Sequence, residues 1–238
     1  MRPAFYALGR GGWRDYVTLL HAPYTVWHLS YVVVGGCLAA EVAWGRLGLT
    51  VLAFLLAMGI GAHALDELAG RPLGTEIPSS ILVALALVSV IAASTIGVVV
   101  ALRFSLWILP LIAIGAFLVP AYNLELFEGR FHSDIWFAVA WGAFPVVTGY
   151  VACEGTPRAV TLVAGGWAIA LSLAQRRLST PVRRARREVA TVSGEIELAS
   201  GEREAVTRDL LIAPSEGALR LLTVATVLIA AALVTVRL

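Results

Sequence analysis

Long apolar runs broken by short polar connectors set the pattern of this chain. Seven runs approach the ~20 residues a helix needs to cross a bilayer: 24–42, 47–65, 80–102, 104–122, 134–153, 157–175 and 218–236. Glu41 lies near the end of the first and His63 near the end of the second. Only Arg103 separates the third from the fourth, so the connection there has to be tight. The pattern predicts an all-α, polytopic transmembrane bundle. Residues 1–175 would hold six spans, 176–217 a polar segment, and 218–238 a last span.

Composition agrees with that reading. Of 238 residues, 59% are hydrophobic and 14% charged, against about 25% charged in ordinary soluble domains. Mean hydropathy is +0.83. A soluble globular enzyme and a disordered tail are both excluded, and a net charge of +2 is too small to suggest a nucleic-acid partner. All 18 basic residues are arginine, which rules out a lysine Schiff base or a lysine-type phosphate loop. Cys37 and Cys153 sit in apolar runs and read as small buried hydrophobes. Residues 1–24 carry arginines without a signal-cleavage pattern, so the first run reads as a signal anchor. With the N-terminus inside, 14 arginines fall on the inner side and 4 on the outer. This favours a cytoplasmic N-terminus in a multi-pass protein of a prokaryotic plasma membrane.

Residues 176–217 stand apart. RRLSTPVRRARREV is followed by the acidic SGEIELASGERE and then AVTRDLLIAPSEG. The favoured reading is a basic interfacial helix on anionic headgroups followed by a solvated linker. The other is a cover over a cavity mouth.

Three polar groupings could carry chemistry. GAHALDELAGRPLGTEIP, residues 61–78, places His63, Asp66 and Glu67 on one helix face at i, i+3 and i+4. Ionisable groups at the end of an apolar helix suggest function. This set could hold Mg²⁺, or Mn²⁺, Fe²⁺ or Zn²⁺ through the imidazole. Arg71 could pair with Glu67 or hold a phosphate. A solvated helix end is the bland alternative. AYNLELFEGRFHSD, residues 121–134, offers Asn123, Glu125, Glu128, Arg130, His132 and Asp134 on the same side, with Asp134 also readable as a helix cap. In the first run His21, Tyr24, His28 and Tyr31 form one helical stripe that Gly35 continues. It reads either as a cavity wall or as interhelical hydrogen bonding with an aromatic belt. In the fifth run, Pro145 should free the Trp141 carbonyl and kink the helix, while Gly142 and Gly149 permit close approach. The chain has no HExxH, no Gly-rich dinucleotide fingerprint and no Walker-type loop, and no Ser–His–Asp set can be argued from spacing.

These residues resemble the UbiA superfamily of intramembrane prenyltransferases. HAPYTVWHLSYVVVGGCLA is similar to the family's opening helix, and AHALDELAGRPL to its Asp-rich region and following turn. VPAYNLELFEGRF with WGAFPVVTGY resembles its later loop and Gly-rich helix. The resemblance covers roughly residues 18–175. It implies a helical bundle around a cavity open to the bilayer and transfer of an isoprenoid from a diphosphate donor with Mg²⁺ held by two Asp-rich motifs. Carried over, Ala62 stands for the motif's Asn, His63 for its first Asp and Gly70 for its last. Asp66 matches the middle Asp, and Glu67 is an additional carboxylate. Where the second motif belongs, AQRRLSTPVRRARRE has no carboxylate before Glu188, and seven spans are counted where the family has nine.

Three functions stay open. The first is a UbiA-like enzyme processing a prenyl diphosphate or related lipid. In it His63, Asp66 and Glu67 are catalytic and hold the cation, Arg71 and Arg130 bind phosphate, and Tyr24, His28, Asn123 and Glu125 line the acceptor side. The second is a non-catalytic bundle binding a lipid or quinone, or assembling with a partner. The third is a transition-metal membrane enzyme of another class.

Overall fold

The computed structural model describes residues 2–238. Eight helices follow in order: α1 (Trp13–Leu19), α2 (Ala22–Cys37), α3 (44–70), α4 (Ser79–Arg103), α5 (Ile108–Asn123), α6 (134–154), α7 (Ala159–Arg187) and α8 (Arg208–Arg237). One small antiparallel hairpin, β1 (Glu195–Glu197) with β2 (Arg203–Ala205), lies between α7 and α8, fully exposed. Five helices, α3, α4, α6, α7 and α8, are long and apolar enough to cross a membrane, and α5 is a shorter apolar helix. Their outward faces are greasy: Leu87, Val88, Ile91 and Leu102 on α4, Leu162 and Val163 on α7, and Leu221 and Val236 on α8 are all exposed. Faces this apolar belong against lipid chains rather than water.

α2 is the axis of the bundle. Ten of its residues are buried, and it packs on α6, α8 and α3. Contact with α6 is at backbone distance. A Cβ on Gly35 would stand 2.0 Å from the Val146 carbonyl oxygen, and one on Gly149 would stand 2.1 Å from that of Val32. Small residues at both crossing points let the two backbones touch, the device that joins helices in lipid where no hydrophobic effect drives them together.

Pro145 reshapes α6. Residues Val139–Ala143 form one widened π turn just before it, since proline has no N–H to return to the carbonyl four residues earlier. That carbonyl belongs to Trp141, and His28 Nδ1 on α2 donates to it at 2.7 Å. Helix ends far from the chamber described below are closed by arginine. Arg46 donates to the Ala152 and Cys153 carbonyls (2.8 and 3.1 Å), and Arg237 to those of Cys37 and Ala39 (both 2.9 Å). These bonds satisfy C-terminal carbonyls that lipid cannot hydrate. Both cysteines are buried and free.

Element boundaries differ from the sequence reading at three places, one being α8, which starts at Arg208 and runs through Pro214 instead of starting at 218. The first apolar run leaves the helix after Cys37, and Leu38–Ala43 turn back non-helically. Residues 176–187 are no separate interfacial helix, because α7 runs on through Pro181 to Arg187. At 29 residues it is about 44 Å long, so it outreaches a hydrocarbon core of ~30 Å. Its last turns are anchored to α8 by a bidentate pair, Arg186 to Glu216, with both side chains nearly buried.

Gly35→Ala and Gly149→Ala should each lower stability in detergent by about 1–3 kcal/mol or prevent assembly, because backbone lies in the way. Gly48→Ala, with nothing nearby, should be neutral. Melting followed by size-exclusion chromatography checks this.

Candidate functional site

At the arginine-rich end of the bundle a chamber of about 620 Å³ opens. Several elements contribute: the N-terminal segment through Phe5 and Tyr6, α2 through Tyr24 and His28, and α3 through His63 and Asp66. α5 contributes Tyr122 and Asn123, α6 contributes Phe137 and Trp141, and α7 contributes Gln175, Arg176, Arg183, Arg184 and Arg187. All four histidines of the chain, at 21, 28, 63 and 132, line it. Volumes of this order suit a small-molecule ligand.

The histidines are held in defined orientations. His28, His63 and His132 each direct Nδ1 at a backbone carbonyl, of Trp141 (2.7 Å), Gly59 (3.1 Å) and Tyr122 (3.0 Å). A carbonyl only accepts, so Nδ1 is the donor in each and Nε2 is the ring nitrogen left over. His21 sits before α2 in the left-handed conformation (φ 46°), which takes it off the helical stripe. Its ring stacks on that of His63 with centroids 4.1 Å apart. Nδ1 of His21 is bonded to the Tyr6 hydroxyl (2.8 Å), and its buried Nε2 has no partner. Burial, then the neighbouring imidazole of His63, holds His21 well below the usual histidine range, so it is neutral at pH 7. Burial also pushes the Tyr6 phenol above its usual range.

The structure separates residues that the sequence grouped. His63 and Asp66 face the chamber, but Glu67 turns the other way and is fully buried. Its carboxylate accepts from Leu73 N (2.9 Å), Thr75 N (2.7 Å) and Thr75 Oγ1 (2.9 Å), so it pins the turn after α3. Glu67 is therefore not available as a metal ligand or a catalytic group. Arg71 belongs to the same turn. It takes φ 51° at the end of α3, and its guanidinium donates to the Thr75 and Ile77 carbonyls and to Ser79 Oγ. Arg71 does not line the chamber, and neither does Arg130, which is exposed on the loop after α5. Both are withdrawn as phosphate ligands, because their backbone places them elsewhere.

The remaining residues converge. Tyr24, His28, Asn123 and Glu125 all line the chamber. Asn123 is buried and donates to the Val119 carbonyl (2.7 Å), whereas Glu125 sits on the rim with its side chain 65% exposed. Tyr31 lies deeper, accepting from Trp27 Nε1 (2.6 Å). Asp134 is in the first turn of α6, and Ser133 is the cap; Asp134 pairs with Arg176 at 2.8 Å. Arg176, Arg183, Arg184 and Arg187, which the sequence pattern assigns to the polar segment, also line the chamber. The signal that could have placed them was the helical continuity of α7 past residue 175.

A second, apolar slot of about 100 Å³ lies between α3, α4, α5 and α6. Met58 and Trp141 belong to the walls of both spaces, so the slot adjoins the polar chamber there. On α3 it extends back to Thr50 and on α6 out to Ala152, a run of roughly 12–16 Å at 1.5 Å per residue.

The donor set does not fit the pair of divalent ions that the family resemblance implies. Among the described residues no three His, Cys, Asp or Glu side chains come together to hold a metal. With Glu67 engaged, Asp66 is the one carboxylate of its motif left facing the chamber. No family model, curated protein or solved structure matches the chain.

Two outcomes follow. Glu67→Ala should cost about 3 kcal/mol or more by stranding two buried N–H groups, while Asp66→Asn, whose side chain makes no bond among the described residues, should melt like the parent. Thermal unfolding in detergent separates them. His21 is neutral when folded, but an unfolded histidine takes a proton below about pH 6.5. Its contribution to stability is thus present above that pH and lost as the pH falls. The melting temperature should drop from about pH 7 to about pH 5, and less steeply in His21→Gln.

Proposed function

We propose that this chain is a UbiA-like, multi-pass membrane protein that takes an isoprenoid diphosphate, or a related anionic lipid, into the chamber and processes it there. One observation carries the reading. A polar chamber with a cationic wall adjoins, at Met58 and Trp141, an elongated apolar slot. Such a pair of spaces matches an amphiphile with a charged head and a linear tail. The order of the helices and their end residues also supports the family reading: His63 and Asp66 close α3, Asn123 closes α5, and all reach one chamber.

In this reading α2 and α5 complete seven crossings. The chamber then opens on the cytoplasmic side of a prokaryotic plasma membrane, where the arginines concentrate. With Nδ1 of His28, His63 and His132 turned to backbone carbonyls, Nε2 is the ring nitrogen left to meet a hydroxyl-bearing acceptor.

The withdrawal of Glu67 favours a second reading, a bundle that binds and carries the lipid unchanged. Incubating purified protein with labelled prenyl diphosphate and a membrane lipid extract decides between them. A covalent prenyl product with release of inorganic diphosphate is the expected result. Recovery of bound but unaltered lipid would select the carrier, and failure to retain any would refute both. Met58→Trp, which fills the junction, should weaken retention by about tenfold.

A further inference from the structure

The charges around the chamber are not arranged as a metal site would need them. Arg183 and Arg187 lie one turn apart on α7 with Arg184 beside them, and all three line the chamber. Among the described residues, no carboxylate comes within ion-pair distance of any of the three. Among the described residues Arg183 has only the Thr180 hydroxyl (3.3 Å) and Arg187 only the Pro3 carbonyl (3.5 Å). Other arginines of the same helix are already engaged, Arg176 with Asp134 and Arg186 with Glu216.

The anionic side is thin. Asp66 faces the chamber alone, Glu125 is a rim residue, and Glu188 is exposed just past the end of α7. A diphosphate needs several positive charges close to its oxygens. Guanidinium groups supply them as paired N–H donors whose spacing matches phosphate oxygens, and they keep their charge at any physiological pH. Three of them occupy the stretch where a metal-binding motif would have brought carboxylates.

We propose that the phosphate head of the lipid is held directly by Arg183, Arg184 and Arg187, without a divalent cation. The inference rests on the amphiphile reading above and adds to it the chemistry of the head site. Under it, Asp66 opposes the anion instead of recruiting a metal for it. The sign of its removal therefore distinguishes the two schemes.

The test is equilibrium binding of labelled geranylgeranyl diphosphate to the full chain in detergent, with Mg²⁺ or with excess EDTA. Affinities in the two conditions should agree within about threefold, and rising salt should weaken both. Arg183→Gln and Arg187→Gln should each weaken binding by about tenfold, with Arg183→Lys recovering part of it. Asp66→Asn should leave binding unchanged or tighten it. Inorganic diphosphate should compete if the head alone is recognised; geranylgeraniol, which lacks the phosphates, should not. Melting curves confirm that each variant is folded. Binding lost in EDTA, or weakened by Asp66→Asn as much as by Arg183→Gln, would overturn the direct arginine site while leaving the amphiphile reading intact. Absence of binding in both conditions would overturn the two together.

Discussion

The close crossing of α2 and α6 is the contact on which the other features depend. Gly35 lies against Val146 and Gly149 against Val32, so the two backbones meet with no side chain between them. A separation that small brings His28 within reach of the carbonyl that Pro145 leaves unpaired on α6. In lipid an unpaired carbonyl is costly, and the π turn at 139–143 persists because a side chain from the neighbouring helix answers it. The same bond fixes the tautomer of His28 and places Trp141 between the polar chamber and the apolar slot. Packing, helix distortion and site geometry are thus one arrangement.

Arginine does two kinds of work in this chain. At the end away from the chamber, Arg46 and Arg237 close helix C-termini by donating in pairs to their last carbonyls, and Arg71 does the same for the turn after α3. A planar fork suits neighbouring carbonyls better than an ammonium would, and the absence of lysine fits that use. On α7 the arginines split again. Arg176 and Arg186 are tied to carboxylates and secure α6 and α8, whereas Arg183, Arg184 and Arg187 line the chamber with no carboxylate partner among the described residues.

The cluster at the end of α3 shows how a helical face can mislead. His63, Asp66 and Glu67 lie within one turn and a fraction, and spacing alone puts them together. The turn that follows α3 needs acceptors for the N–H groups of Leu73 and Thr75, and Glu67 is the residue that reaches them. Its neighbour Asp66, about 100° further round the helix, stays in the chamber. The difference was invisible in the sequence because it depends on where the chain goes after Arg71.

By itself the sequence determined the helical membrane class, the approximate limits of most apolar helices, and the gathering of polar residues at one end of the bundle. Long apolar runs permit few other outcomes, since a backbone in lipid must bond to itself. It also specified the free carbonyl at Trp141, because proline chemistry is local. Only tertiary structure decided which partner answered that carbonyl. It alone brought four histidines from distant segments to one chamber, moved Glu67, Arg71 and Arg130 out of the site, and extended α7 so that its arginines entered it. Those outcomes depend on the crossing of α2 with α6 and on the path of the connecting turns, and no periodicity within a single helix encodes either.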